Sequence, residues 1–217
     1  MKIKAVVPIK LNNERFPNKN LELLDGRPLC EHLLGTLSEI EGLETFVYCS
    51  EERIKEYLPK GVGFVQRSTE LDRFSVKRQQ IVKSMIQDVE ADVYVYAHVT
   101  NPLLKKESIQ AAVDAIVKEG CDSAIGVIKH QKYIWYKGEA LNFSTQDLLR
   151  TQDIEPVYME MGLYVFKRQV AMLNGSVYGE NMKLIPVSEI EAVDIDYKED
   201  LDFANLILAN QRGGIHG

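Results

Sequence analysis

Three cations fall within ten residues where the first apolar run gives way to a polar loop: Lys10, Arg15 and Lys19, in the stretch from Pro8 to Asn20. In parallel α/β sheets, ligands bind at the carboxyl ends of strands, and the loop after the first strand is a frequent site. Basic side chains there neutralise the charge that builds during phosphoryl or nucleotidyl transfer, where positioning and electrostatics dominate. The plain alternative is a solvated basic loop, and composition alone does not choose between the two.

Toward the other end, Asp194 and Asp196 lie two residues apart. In an extended segment such side chains point the same way, so both carboxylates can face one ligand. Hard oxygen ligands of this kind suit Mg²⁺, which binds nucleotide phosphates at the same time. Asp196-Tyr-Lys-Glu199 also approximates a capping box, so Asp196 has a purely structural reading as well. His98, at a strand end, is either a satisfied polar residue or a group that hydrogen-bonds a base or an acceptor carboxylate. Arg67 is either a surface ion-pair partner or a ligand contact, and Ser75 either a helix N-cap or a ligand group.

The elements that must position these groups alternate. Ile3–Ile9, Thr45–Cys49, Val62–Val65, Asp92–Val99, Ala124–Ile128, Gly162–Phe166 and Leu184–Val187 read as strands. Helical patterning covers Pro28–Ile40, Glu51–Leu58, Ser75–Val89, Ser108–Lys118, Gln169–Leu173 and Lys198–Gln211. Such alternation builds an α/β fold with a largely parallel sheet covered on both faces. Lys129 to Tyr158 interrupts the rhythm: it is rich in Tyr, Gln, Asp and Lys, holds the single tryptophan, Trp135, and shows no sustained period. It reads as an arm inserted, at about 129–158, into one domain spanning 1–217. The tail 213–217 is expected to fray.

The chain has 217 residues, enough for a core without disulfide or metal staples. With 26 basic and 32 acidic residues its formal charge is −6, so no global field draws it to nucleic acid or to an anionic membrane. Any anionic ligand must be held by a local basic cluster. Cys30, Cys49 and Cys121 form no CxxC pair, which speaks against a zinc site or a redox dithiol. A Walker A loop and a GxGxxG are both missing. The sequence shows no signal h-region and no membrane span, so a cytoplasmic protein is expected.

Pro8 to Leu21 resembles the opening motif of the acidic-sugar cytidylyltransferases, which include the acylneuraminate and 3-deoxy-manno-octulosonate enzymes. Their pattern is roughly P-A-R-x-G-S-K-x-x-P-x-K-N, with a variant ending S-R-F-P-x-K. Pro17, Lys19 and Asn20 match the first form and Arg15-Phe-Pro the second. Lys10 stands in place of arginine, Asn12 and Asn13 in place of Gly-Ser, and Glu14 in place of lysine. Further matches are Asp25-Gly-Arg-Pro-Leu, Gln66-Arg67-Ser-Thr-Glu70-Leu71 and Arg150-Thr-Gln152-Asp153 with Pro156 and Tyr158. Ala192-Val-Asp194-Ile-Asp196 followed by Asp200-Leu-Asp-Phe203 resembles the family's terminal signature. His98-Val-Thr100-Asn-Pro102-Leu103 sits where the family reads Q-P-T-S-P-L. Gly162-Leu-Tyr164 follows its N-G-x-x-Y, with Met161 in place of asparagine. The resemblance runs from Val6 to Phe203.

The resemblance implies a Rossmann-like three-layer sandwich of the nucleotide-diphospho-sugar transferase type, in which the inserted arm mediates a homodimer. It implies a Mg²⁺-dependent reaction: CMP from CTP is joined to a sialic-acid-like keto acid, and pyrophosphate is released. Lys19, Arg15 and Lys10 would act on the triphosphate, Pro8, Asn20, Arg67 and His98 on the nucleotide, and Gln152, Asp153 and Tyr158 on the acceptor. Asp194 and Asp196 would hold the metal. The altered residues leave room for a phosphonate or other small anion as acceptor. Two readings from other classes are a catalytically inactive nucleotide-binding homologue and a glycosyltransferase of similar fold. A glycosyltransferase usually carries a DxD after a central strand, where this chain has His98-Val-Thr-Asn101 without a carboxylate.

Overall fold

The computed structural model describes residues 1–213; most of the tail expected to fray, residues 214–217, lies outside the described residues. In chain order the strands are β1 Ile3–Pro8, β2 Leu23–Leu24, β3 Arg27–Pro28, β4 Glu44–Cys49, β5 Gly63–Gln66, β6 Val93–Ala97, β7 Ser123–His130, β8 Trp135–Tyr136, β9 Glu139–Ala140, β10 Val157–Lys167 and β11 Met182–Val187. The helices are α1 Leu29–Ser38, α2 Arg78–Asp88, α3 Lys106–Val117, α4 Arg168–Met172 and α5 Lys198–Gly213. Seven strands form one sheet in the order β11-β7-β10-β6-β1-β4-β5. It is mainly parallel, as expected; β10 alone runs antiparallel to its two neighbours, β6 and β7.

Burial on both faces explains the near-continuous apolar strands. In β1, Ala5 and Val7 enter the layer that holds α1 and α3, and Val6 enters the layer that holds α2 and α4. In β6, Val93, Val95 and Ala97 take the first layer and Tyr94 and Tyr96 the second. Strand pleating sends successive side chains to opposite faces, so each strand stitches both layers together. A third, smaller cluster forms beside the sheet from Leu24, Leu29, Ile195, Leu201 and Ala204, with Phe16 and Val193 packed at its edge. It fastens the first loop and the Asp194–Asp196 segment to the same helix, α5.

Most boundaries lie within two residues of those read in the sequence, and three elements differ in a larger shift or in type. The helix expected from Ser75 begins at Arg78: Lys77 is its N-cap residue, and the Lys77 N–H donates to the Gln80 side chain at 2.9 Å. Ser75 is exposed and caps nothing. The stretch Glu51–Leu58 is a 3₁₀ helix over Glu52–Tyr57. The last strand before α4 begins not at Gly162 but at Val157, whose partner is His130 across the β7–β10 ladder. The arm is therefore the long connection between two paired antiparallel strands, and its last expected residues, Val157 and Tyr158, belong to β10.

Candidate active site

The loop after β1 is pinned from within. Asn20 is buried, and its side-chain amide donates to the Lys10 carbonyl at 2.8 Å, while its Oδ1 has no partner. Beside it, the Lys19 ammonium is 8% exposed by residue and donates to the Ile195 carbonyl at 2.7 Å and to Asp196 Oδ1 at 2.8 Å. Arg15 reaches the other oxygen, Asp196 Oδ2, at 2.7 Å and lies over the Tyr197 ring. Amino-terminal cations and carboxy-terminal carboxylate thus meet across 177 positions of sequence.

Two charges so placed stabilise each other only because each is hydrogen-bonded. Burial works against the Asp196 carboxylate, but Lys19 and Arg15 outweigh it and hold its pKa below the ordinary value. Arg15 is held above its ordinary value by Tyr197 and Asp196. Helix capping falls to Asp200, whose carboxylate accepts the Asp196 and Tyr197 N–H groups at 2.9 and 2.8 Å. The capping reading of Asp196 is thereby corrected: its carboxylate faces the cations of the first loop, not the helix N–H groups.

Ile195 is fully buried between exposed Asp194 and half-buried Asp196, so the two carboxylates flank an apolar anchor. The segment is held over the end of β6, where the Ile195 N–H donates to the Thr100 carbonyl at 2.8 Å and the Asn101 amide to Val193 O at 3.1 Å. Among the described residues, the diacid's ion pairs are all made by Asp196. Asp194 makes none. A magnesium ion bound to nucleotide phosphates takes one or two carboxylates and fills its remaining positions with waters and phosphate oxygens. An exposed, unpaired Asp194 beside an Asp196 whose Oδ2 is held only by a half-exposed arginine fits that demand.

Two clefts open beside the junction, one of them on Arg15 and Lys19, and neither Asp194 nor Asp196 is among their lining residues. One, of about 210 Å³, is lined by Lys10, Asn12, Asn13, Glu14, Arg15, Phe16, Lys19 and Phe74, three cations against one carboxylate. The other, of about 320 Å³, is lined by Pro8, Lys10, Arg67, Phe74, Tyr96 and His98 among others. Arg67 is not the surface residue of the plain reading. It is 4% exposed, bonds Asp72 Oδ1 at 2.5 Å, and leaves its Nε without a partner. Neither His98 ring nitrogen is hydrogen-bonded among the described residues, and burial keeps its pKa below the ordinary value despite nearby Asp194. His98 thus stands at the cleft wall with its charged form disfavoured. Its backbone N–H donates to Gly162 O at 2.9 Å, and a Cβ at Gly162 would come within 2.2 Å of Asn101 Oδ1 and 2.8 Å of His98 Cβ. Only glycine lets the middle of β10 approach the residues that follow β6 this tightly.

Gln152, Asp153 and Tyr158 line neither cleft. Gln152 and Asp153 sit on an exposed 3₁₀ turn of the arm, with Asp153 held by Arg150 at 2.7 Å. Met161 is 6% exposed and packs in the α1/α3 layer, its sulfur 2.8 Å from where a Gly126 Cβ would be. Sequence reasoning missed a cluster next to His98. Glu160 Oε1 accepts from Tyr164 at 2.6 Å and from Arg78 at 3.1 Å; Glu160 Oε2 accepts from Tyr178 at 2.6 Å. The Arg78 guanidinium lies 4.4 Å from the Tyr164 ring centroid. Burial opposes the Glu160 charge, and these donors more than offset it, lowering its pKa. Its members come from α2, β10 and the loop before β11, so no local pattern announces them.

The three cysteines are buried and free. Burial pushes the Cys30 thiol up to about 12, which leaves it inert.

A family model described as Cytidylyltransferase matches residues 5–210. The N-acylneuraminate cytidylyltransferase of Streptococcus agalactiae serotype III (strain NEM316) is 22% identical over 213 residues, covering 92% of this chain and 52% of that protein. The chain thus spans about half the length of that curated relative. The 3-deoxy-manno-octulosonate cytidylyltransferase 2 of Hydrogenovibrio crunogenus (strain DSM 25203 / XCL-2) is 23% identical over 218 residues, covering 91% of this chain and 88% of that one. Among solved structures, CMP:2-keto-3-deoxy-manno-octonic acid synthetase complexed with CTP superposes with a TM-score of 0.74 at 14% identity, over 97% of this chain and all of the other. At that identity the likeness is one of fold.

Proposed function

The chain belongs to the cytidylyltransferase family, and on that premise we propose that it joins CMP from CTP to an acidic sugar of the sialic-acid-like keto acid class, releasing pyrophosphate. The observation that carries this reading is the junction of Lys19, Arg15 and Asp196 beside the unpaired Asp194. An acceptor oxygen attacks the α-phosphorus and pyrophosphate departs in line. An ammonium has three donors, and Lys19 spends two on Ile195 O and Asp196, so one remains for a phosphate oxygen. Arg15 and Lys10 add charge from the cleft rim. Arg67 and His98 offer an unpaired Nε and an imidazole ring to the nucleoside end.

Asp194 and Asp196 would hold Mg²⁺. When bound, the ion would neutralise phosphate charge and polarise the bond to the leaving group. The arm supports a homodimer as part of the same reading: Trp135 and Tyr136 are each 59% exposed, and a buried interface suits such amphipathic rings. Among the described residues no helix is long and apolar enough to cross a membrane, and a cytoplasmic site of action completes the proposal, with the whole chain as one nucleotidyltransferase domain.

A second reading keeps the chemistry and changes the acceptor to a phosphonate or other small anion. It is favoured by Met161, which turns into the core where the resembling enzymes have asparagine. A pyrophosphate-release screen separates the two, with four nucleoside triphosphates against a panel of acidic keto sugars and phosphonates. Release with CTP and a keto sugar is expected. Release only with phosphonates selects the second reading. Transfer from a nucleotide sugar without pyrophosphate, or nucleotide binding with no release from any acceptor, would overturn both.

A further inference from the structure

Phe74 belongs to none of the motifs discussed above. It lies between the 3₁₀ turn Thr69–Asp72 and α2 and is 64% exposed. Single exposed apolar residues are ordinary, so exposure alone says nothing. Its position says more. Phe74 and Lys10 are the residues common to the linings of both clefts, so the pair stands where the phosphate-side cleft meets the one holding Arg67 and His98. A turn closed by the Val76 N–H donating to Arg73 O at 3.0 Å presents the ring there. The Lys10 ammonium lies over the ring, 4.0 Å from its centroid.

A cation over a half-solvated ring is weakly held, whereas a triphosphate offers it several full negative charges. A polyphosphate in the first cleft would draw Lys10 off the ring and bare its face toward the second. An acidic, polyhydroxylated acceptor wants donors, which phenylalanine lacks. A planar heteroaromatic base wants a π-face, which it has.

We propose that Phe74 is the stacking platform for the nucleobase, and that binding exchanges the Lys10–Phe74 contact for a Lys10–phosphate and a Phe74–base contact. This rests on the cytidylyltransferase reading for its nucleotide and adds a residue that the reading does not use.

The test is calorimetric binding of CTP and of inorganic tripolyphosphate, which has no base, to wild type, Phe74→Ala, Phe74→Leu and Phe74→Trp. Stacking on an aromatic side chain predicts a roughly ten- to hundredfold loss of CTP affinity in Phe74→Ala and Phe74→Leu. Tripolyphosphate binding should not weaken, because removing the ring only releases Lys10 for phosphate. Phe74→Trp should retain affinity, and its added indole fluorescence should be quenched by CTP but not by tripolyphosphate. Equal losses for both ligands would make Phe74 a support for the first loop and overturn the proposal. So would CTP affinity unchanged in Phe74→Ala. Wild-type protein that binds tripolyphosphate but no nucleoside triphosphate would instead break the cytidylyltransferase reading, and the stacking role with it.

Discussion

The first loop and the arm are held by opposite means. Two of the loop's cations, Lys19 and Arg15, are fixed by Asp196, and Lys19 also by the Ile195 carbonyl 176 residues away, over an apolar cluster that contains Ile195 itself. The arm is braced by its own neighbours. Gln131 donates to Ile154 O at 2.5 Å, Tyr133 to Leu149 O at 2.6 Å, and Asn142 to the Lys132 and Glu155 carbonyls at 3.0 and 2.9 Å. Phe143 packs between Tyr133 and Trp135, yet Trp135, Tyr136, Leu141, Leu148 and Leu149 all remain at least half exposed. One region is completed by distant parts of the same chain. The other is locally formed and leaves an apolar face open. Substitutions in the first should therefore damage chemistry and folding together, and those in the second should damage association alone.

The largest effect expected is on turnover. Removing a charge stabiliser from such a site typically costs roughly 10²–10³ in rate, so Lys19→Ala and Asp194→Ala should each nearly abolish pyrophosphate release. Near-normal rates in both would break the assignment of the site. Next comes stability, where the two carboxylates should part company. Asp196→Asn strands the buried Lys19 ammonium and should cost about 1–3 kcal/mol, below the range for fully buried pairs because Asp196 is part-exposed. Asp194→Asn, with no ion pair to lose, should melt like wild type.

The pH dependence follows from the depressed Asp196 pKa, where burial is outweighed by Lys19 and Arg15. Stability from that carboxylate is present above the unfolded value, about 4, and is lost as pH falls through the folded value. The melting difference between wild type and Asp196→Asn should shrink in acid; a constant difference would mean that the pair contributes nothing.

For the arm, Trp135→Ser with Tyr136→Ser should halve the mass seen by light scattering without lowering the melting temperature. An unchanged mass would remove the arm from the interface. The smallest effect belongs to Arg15→Ala. Its guanidinium is more than half exposed, and exposed pairs are worth about 1 kcal/mol or less, so the melting temperature should move little; a drop as large as that of Asp196→Asn would contradict this.

The sequence announced what local pattern can carry. Apolar runs of strand length separated by helical spacing gave the sheet and its helices, because both faces of each strand are buried. Cation density after β1 and the two-residue spacing of Asp194 and Asp196 marked the two halves of the site. Their meeting required the cluster around Ile195, which no local period encodes. The burial of Arg67, its pairing with Asp72, and the Arg78–Glu160–Tyr164–Tyr178 group arise only when α2, β10 and distant loops pack together. The antiparallel course of β10 was illegible for a similar reason: its first residues, Val157 and Tyr158, fall inside the segment without period, and Met159–Met161 carry no strand signal of their own. Phe74 was overlooked because one exposed aromatic in a loop carries no sequence signal.

The central claim is that Asp194 and the Lys19–Asp196 junction form one site for a metal-bound triphosphate. The most direct measurement is CTP affinity by calorimetry across a Mg²⁺ titration, for wild type and Asp194→Asn. Wild-type affinity should rise with Mg²⁺, and the Asp194→Asn curve should be flat. Parallel curves for the two proteins would contradict the claim.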